Sequence, residues 1–430
     1  MNYSFRKLIN DLHLWVGLPS AVILVVMCFT GTMYVFQREI TQWVDSDKFQ
    51  VAVPVNGEKL TLAQLRTSVE QETKGKVTTI QIPQEKNEAW TFTLLPTEKQ
   101  NKKISSISTD KKENKANNKE SEKDKLKSYL VNPYTGEIQG DAKTPSVKFF
   151  ATVLQLHRWL LIENHDIGGA ITGTACLMML FLQISGLILW APAKLKSWKK
   201  SNAWKAGFKV KMDASLKRIN FDLHKTLGFY AFLFVTIMAV TGPYFAFKWY
   251  KEGAYKVLDA KPISKENNTK SVYQTSAPLS LDQILSKINE VYPGEGNTRL
   301  LLPKDSTGSY AIQKFHNGFL SSAGVDRVTL DQYSGNILEI KRFSDMSLGQ
   351  QIISSSKIIH TGEIFGTFTK ILYFLACLAA TSLPVTGFYI WWNKGKKDKE
   401  RTKYGAVSGK PASPKPILAR KKIPVDIPSV

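Results

Sequence analysis

Six histidines occur in the 430 residues, at positions 13, 157, 165, 224, 316 and 360. Two of them open the same string. Asp11-Leu12-His13 leads into an apolar run that closes on Thr30-Gly31, and Asp222-Leu223-His224 leads into one that closes on Thr241-Gly242, with the same spacing and no gap. A looser pair follows: His157, in LHRWLL, precedes an apolar run ending SGLILW, and His360, in IHTGEIFG, precedes one ending TGFYIW, with an indel of two residues between them. Neutral imidazole is the usual axial ligand of a b-type haem, and a bundle of apolar helices supplies the pocket. The pattern therefore predicts two bis-histidine haem sites, His13 with His224 and His157 with His360. They should lie at opposite membrane faces, about one helix length or roughly 30–35 Å apart.

A single histidine at a helix end is ordinarily an interfacial residue that ligates nothing. Four out of six at symmetric positions favour ligation, because ionisable groups within membrane segments are functional by default. Zinc wants three or four ligands together, which two histidines per face do not supply. Arg158 is placed to meet a haem propionate or a lipid headgroup. His165, in IENHDIGG, is an alternative outer ligand or a substrate-side group, and His316, in QKFHNGF on a predicted strand, reads as surface. Asp11 and Asp222 would orient the neighbouring rings or cap their helices. Gly31, Gly186, Gly242 and Gly387, each after Thr or Ser, read as points of close helix approach. Trp15, Trp159, Trp190, Trp249, Trp391 and Trp392 fit an aromatic belt. Cys28, Cys176 and Cys377 fall inside apolar runs without a CxxC and read as small buried hydrophobes.

The elements that must carry these side chains are four apolar stretches, Leu14–Phe36, Ile171–Trp190, Leu227–Phe247 and Phe368–Trp392. Each is close to the roughly 20 residues that span a bilayer as a helix. The first follows Arg6 and Lys7 but is longer than a signal-peptide core and has no A-x-A-like site after it, so an uncleaved anchor is expected. Lysine and arginine crowd the short loop from Lys194 to Arg218 and the tail from Lys394 to Lys403, which puts both, and the N-terminus, in the cytoplasm. Much of the net charge of +22 is this topology signal rather than a nucleic-acid footprint. The aromatic and basic mixture at Trp198–Phe208 suits a segment lying on the inner membrane surface.

Two long segments then lie outside, and they repeat. LTLAQLRTSVEQE, VTTIQI, AWTFTLL and VNPYTGEI in the first correspond to LSLDQILSKINEVYP, TRLLLP, SYAIQKF and LDQYSGNI in the second. Each reads as a helix on a small antiparallel sheet with a glycine turn at Gly136 or Gly335. The expected fold class is a membrane all-α four-helix bundle with two extracytoplasmic α+β domains, made by an internal duplication of helix–domain–helix. The expected segments are a cytoplasmic N-terminus 1–13, helices at 14–37, 157–191, 223–249 and 358–392, the second and fourth with outer extensions, outside domains at 45–145 and 255–345, a cytoplasmic loop 192–222 and a basic tail 393–430. Residues 97–127, rich in Lys, Glu, Asn and Ser, cannot bury a core and are expected to be a disordered insertion. No Walker A motif, no GxGxxG after a strand, no HExxH and no Ser/His/Asp arrangement occurs, so electrons would have to come from another protein or a membrane carrier.

With DLHLWVGL, DLHKTLGF, LHRWLL, IHTGEIFG, the SGLILW and TGFYIW helix ends and the VNPYTGEI and LDQYSGNI hairpins in view, the chain resembles the PepSY-associated transmembrane family, also called iron-regulated membrane proteins. The resemblance runs from about Phe5 to Lys394 and implies PepSY-like outside domains. It further implies a ferric-siderophore reductase of the bacterial inner membrane with two b-type haems, the inner held by His13 and His224 and the outer by His157 and His360. A ferric chelate would be the electron acceptor and a membrane or cytoplasmic component the donor. Two other readings stand beside it: a membrane-anchored PepSY protein that binds or restrains a partner without redox activity, and a transporter for haem or an iron complex.

Overall fold

The computed structural model describes residues 4–96, 126–193, 198–262, 269–291, 296–316 and 324–407. The expected insertion at 97–127 lies, apart from its last two residues, outside the described residues, as do Lys194, Lys196 and the tail beyond 407. In chain order the helices are α1 (Phe5–Tyr34), α2 (Gln37–Val44), α3 (Ser46–Phe49), α4 (Leu62–Thr73), α5 (Pro145–Trp159), α6 (His165–Trp190), α7 (Ser201–Phe208), α8 (Leu216–Ala246), α9 (Lys248–Val257), α10 (Leu281–Val291), α11 (Leu348–Ser354), α12 (Ser356–Thr361) and α13 (Gly366–Val407). Four spans, Phe5–Tyr34, His165–Trp190, Leu216–Ala246 and Glu363–Lys394, are long and apolar enough to cross a membrane. They form a ring in the order α1, α6, α8, α13. Its centre is a layer of small and flexible side chains, among them Ala175, Ala231, Ala239, Ala376, Ala380, Met27 and Met179.

The helices begin earlier than their apolar runs. Ser4 caps α1 by accepting from the Lys7 amide, and Ser215 holds the same position before α8. His13 and His224 therefore lie about two turns inside their helices, and neither Asp11 nor Asp222 is a cap. The two expected outer extensions are separate helices. Thr144 caps α5 with Pro145 at its first position, and the helix stops at Leu160 and Leu161, both at positive φ. Asn164 then restarts the chain as α6 by accepting from the amides of Asp166 and Ile167. On the other side α12 stops at Gly362 (φ 76°), a single 3-10 turn follows at Glu363–Phe365, and α13 starts at Gly366 (φ 67°). His157 and His360 thus ride on short helices that fold back against α1 and α8.

Arg6 fixes one end of the bundle. Its guanidinium donates to the last carbonyls of α6, at Ile188 (3.2 Å), Leu189 and Ala191 (3.0 Å), where the helix dipole favours a cation. Lys217 donates to the Asn393 carbonyl (3.3 Å), fourteen residues before the end of α13. At the opposite end Lys370, only 6% exposed, pairs with Glu39 and ties α2 to α13.

The strands are β1 (Gly75–Ile82), β2 (Trp90–Pro96), β3 (Lys127–Val131), β4 (Ile138–Asp141), β5 (Thr298–Leu301), β6 (Ser309–Phe315), β7 (Val325–Asp331) and β8 (Ile337–Lys341). The two expected α+β units share one sheet. All eight strands form one antiparallel sheet in the order β4-β3-β2-β1-β5-β6-β7-β8, joined where Thr79–Ile82 pair with Thr298–Leu301. The physical reason is that β1 and β5 would each leave a row of open backbone groups at the edge of its own sheet, and pairing them satisfies both. One apolar core serves both halves: Leu62, Leu65 and Val69 of α4 and Leu281, Ile284 and Ile288 of α10 cover Ile80, Phe92, Leu300, Ile312 and Val328. The two glycine turns form alike. Asn132 accepts from the Tyr134 amide (2.9 Å) before Gly136, and Asp331 accepts from that of Tyr333 (3.0 Å) before Gly335, with both glycines at positive φ.

A carboxylate locks the halves together. Asp282, in the first turn of α10, accepts from the Leu62 (2.7 Å) and Ala63 (3.2 Å) amides at the start of α4. This is a cap supplied from the other half, beside the capping box that Thr61 and Gln64 make within α4. Caps of this kind contribute about 0.5–2 kcal/mol. Asp282→Ala is expected to lower the unfolding midpoint of the purified protein by that amount, and Asp282→Asn, which keeps an accepting oxygen, by less. Thermal unfolding read by circular dichroism measures the difference.

Candidate histidine sites in the bundle

His157 on α5 and His360 on α12 meet inside the bundle, with ring centres 6.3 Å apart and planes at 63°. The His157 Nδ1 lies 2.9 Å from the Met27 carbonyl and 3.1 Å from the Thr30 hydroxyl of α1. The His360 Nδ1 lies 2.8 Å from the Thr241 hydroxyl of α8, with the Met238 carbonyl also in bonding reach. At the other end of the bundle the His13 Nδ1 is 2.8 Å from the Ser185 hydroxyl of α6, and the His224 Nδ1 is 2.9 Å from the Thr386 hydroxyl of α13. His13 and His224 are close enough to interact electrostatically.

These four contacts suit a single tautomer, and the Met27 carbonyl requires it at His157. Each hydroxyl donates its own hydrogen to the carbonyl four residues back: Thr30 to Val26 (2.7 Å), Thr241 to Ile237 (2.8 Å), Ser185 to Phe181 (2.8 Å) and Thr386 to Ser382 (3.0 Å). With its hydrogen so placed the oxygen accepts, and the imidazole donates through Nδ1–H. The Met27 carbonyl, an acceptor by nature, demands the same of His157. A neutral ring with its proton on Nδ1 keeps a lone pair on Nε2. Among the described residues no hydrogen bond reaches Nε2 in any of the four.

The residue after each hydroxyl is a glycine, and each glycine lies under the ring its neighbour holds. A Cβ added at Gly31 would come 3.4 Å from His157 Cε1, at Gly186 3.4 Å from His13 Cε1 and at Gly387 3.2 Å from His224 Cε1. At Gly242 it would come 3.8 Å from His360 Cε1 and 2.7 Å from the Cys176 sulfur. Sequence reasoning noted these four Ser/Thr-Gly steps but assigned them to helix approach. The signal that was available is that each step lies in a helix facing a histidine of another helix. Asp222, expected to orient His224, instead accepts from Arg218 Nε (2.9 Å) and the Lys211 amide, and Asp11 accepts from Asn10.

The His157 and His360 rings border a cavity of about 420 Å³ that also touches Gly31, Gly242, Arg158, Trp159 and Tyr373. Cofactor pockets run from about 300 to 1,000 Å³. Metal–imidazole bonds of about 2.0 Å, with each ring centre roughly 1 Å behind its nitrogen, would put the centres roughly 6 Å apart. A ring separation of 6.3 Å with both Nε2 atoms unpartnered would suit a metal of the haem type, with His157 and His360 as the residues to hold it. Cys28, Cys176 and Cys377 also line this cavity, so the three thiols are walls of the site rather than packing elsewhere in the bundle. Arg158 lies over the Trp159 ring at 4.4 Å, on the cavity wall where an anionic edge group would meet it.

Other expectations change. His165 is stacked face to face on Trp159 (3.9 Å, 11°) and lines an adjoining cavity with Gly169, Phe245 and Ala246, whereas His157 borders the cavity that His360 also borders. His316 is more than surface: it pairs at 2.9 Å with Asp326, which is 4% exposed, at the end of β6. Trp159 and Trp190 leave the aromatic belt, the first for the cavity wall and the second for a buried stack on Phe229 (4.0 Å) with its indole N–H on the Gly207 carbonyl (3.0 Å). The two histidine levels are closer than a full helix. Thr30, which touches His157, is seventeen residues above His13 on α1, and Thr241 is as far above His224 on α8, about 25 Å. Among the described residues no group of three or more His, Cys, Asp or Glu could hold a metal ion. Thr241→Val keeps the shape of the wall but removes the oxygen that receives the His360 Nδ1–H. It is expected to cost about 1 kcal/mol of stability, seen as a lower melting midpoint in detergent, while Thr241→Ser stays near wild type.

No curated protein matches the chain. A family described as the PepSY-associated TM region matches residues 11–394, a stretch that contains three of the spans and all but the first six residues of the other, the whole sheet and the four bundle histidines. The chain is a membrane protein and belongs to the PepSY-associated TM region family.

Proposed function

We propose that the chain is a di-haem b oxidoreductase that carries electrons across a bacterial inner membrane and reduces a ferric complex, of the siderophore type, on the outer side. The observation that carries this reading is the common placement: four half-buried imidazoles, two at each level, each with Nδ1 on a hydroxyl of another helix and, among the described residues, no hydrogen bond at Nε2. Four imidazoles that each set the same nitrogen on a hydroxyl of a neighbouring helix leave the other nitrogen free to meet a metal.

In this reading His157 and His360 hold one haem and His13 and His224 the other. When bound, each haem supplies a one-electron iron couple. Thr30, Thr241, Ser185 and Thr386 set the direction and basicity of the rings through Nδ1, as outer partners of ligating histidines do. Gly31, Gly242, Gly186 and Gly387 keep the ring edges clear. Arg158 neutralises an acidic edge group at the outer level. The recurrence of these contacts in both halves supports an origin by duplication. Arg6, Lys199, Lys200, Lys209, Lys211 and Lys217 gather at the His13/His224 end, which supports a cytoplasmic placement for that end and for both termini. The sheet would then stand in the periplasm, where the ferric complex is met, and an electron donor would dock at the cytoplasmic or membrane side.

Absorption spectra of the oxidised and reduced full-length protein test the reading, together with His13→Ala and His360→Ala. Each substitution is expected to remove a different half of the haem signal. A colourless protein with no haem by pyridine assay, after expression with haem supplied, would sink it. Retention of function and fold by the variant with all four histidines changed to alanine would favour the non-redox binding protein.

A further inference from the structure

The sheet has one face covered by helices and an opposite face that is exposed at Gln81 and Arg299, half-buried at Gln313 and Arg327 and buried at Thr79 and Thr329. Ile80, Leu300, Ile312 and Val328 point to α4 and α10. The alternate residues face away, and register aligns them in a row. Gln81 on β1 is opposite Arg299 on β5, Arg299 opposite Gln313 on β6, Gln313 opposite Arg327 on β7 and Arg327 opposite Lys341 on β8. With strands about 4.8 Å apart, Arg299 and Arg327 lie roughly 10 Å from each other and Lys341 roughly 5 Å beyond. Beside β3 this face is closed by Phe49, Val51 and Ala89 around Leu130. From β1 onward none of the apolar clusters covers it.

The charge pattern of this row is unusual for a sheet. Arg327 and Lys341 are like charges directly across a strand pair, an arrangement that destabilises a sheet. Lys341 is relieved by Glu339 at 2.8 Å. Neither Arg299, which is exposed, nor Arg327, which is half-buried, makes an ion pair or side-chain hydrogen bond among the described residues. The glutamines between them offer further donors. Two unpaired guanidinium forks on a rigid sheet, spaced by amide groups, match a compact ligand that carries several oxyanions about its surface.

We propose that this sheet face is a docking site for an anionic ferric chelate, one whose iron is wrapped by catecholate or carboxylate oxygens. The inference rests on the proposed function for the identity of the metal, while the site itself stands on the row of cations. Arg299 and Arg327 bind the oxyanions, Gln81 and Gln313 donate between them, and Lys341 with Glu339 closes the far end. The face selects by charge: a polyanionic chelate is held and a neutral hydroxamate chelate is not.

Calorimetric titration of the full-length protein in detergent tests this with gallium(III) chelates, which match the ferric ones in shape and charge but accept no electron. The trianionic gallium tris-catecholate is expected to bind, more weakly as salt is raised. It should lose about tenfold or more in the Arg299→Ala, Arg327→Ala double variant. The Arg299→Lys, Arg327→Lys variant should retain most of the affinity, and circular dichroism should be unchanged in both. Equal binding of a neutral gallium hydroxamate, unchanged binding in the alanine variant, or tighter binding of a polyglutamate peptide at the same residues would overturn the proposal. Because gallium binding needs no haem, a colourless protein that still binds the catecholate defeats the di-haem reading alone, and a red protein that does not bind it defeats this inference alone.

Discussion

A neutral imidazole buried among apolar helices has one hydrogen to give and one lone pair to place, and the bundle satisfies only the first. Everything near the four histidines follows from how that hydrogen is received. The receiving oxygen must lie on a neighbouring helix, must already have used its own proton, and must leave the ring room to lie flat against the helix surface. A Ser or Thr bonded back to its own helix, followed by glycine, meets all three conditions in two residues. The breaks at Leu160–Leu161 and at Gly362 follow from the same need. A continuous helix would carry His157 and His360 away from the bundle axis, whereas the short folded-back α5 and α12 bring them to Thr30 and Thr241.

The outer half of the molecule obeys a different constraint. Each small sheet leaves an edge open, and the two edges close on one another at β1 and β5. Once they do, α4 and α10 lie side by side over a common core, and Asp282 can reach the amides that begin the partner helix. The apolar face is thereby used up in joining the halves, and recognition is left to the polar face. Bundle and sheet are thus each assembled from two similar pieces, but in the bundle the join leaves lone pairs facing inward and in the sheet it leaves cations facing outward.

Much of this could be read in the sequence. Apolar run length gave the four spans, alternation gave the strands, and the spacing of the histidines gave their sorting into two levels. What escaped has identifiable causes. Helix starts were placed too late because Ser4 and Ser215 lie among polar residues where apolar periodicity carries no signal. The split between α5 and α6 was missed at Leu160 and Leu161, which give no composition cue because non-glycine residues seldom adopt positive φ. The fusion of the sheets was hidden because edge pairing depends on backbone groups that every residue carries. The roles of Thr30, Ser185, Thr241 and Thr386 were hidden because a hydroxyl's partner is chosen in three dimensions, and Asp222 was the nearer candidate in sequence.

The joint between β1 and β5 also sets a timetable. More than two hundred residues separate Gln81 from Arg299, its neighbour across the joint, and two membrane spans are made in between. Until the second half emerges, β1 is a bare edge beside an uncovered apolar helix face. That is the state in which a chain is most open to pairing with the wrong strand, whether from another copy or from a nascent neighbour. The joint can close only once the second half of the sheet has been made. Quality-control factors that bind exposed strand edges would find their substrate in that interval.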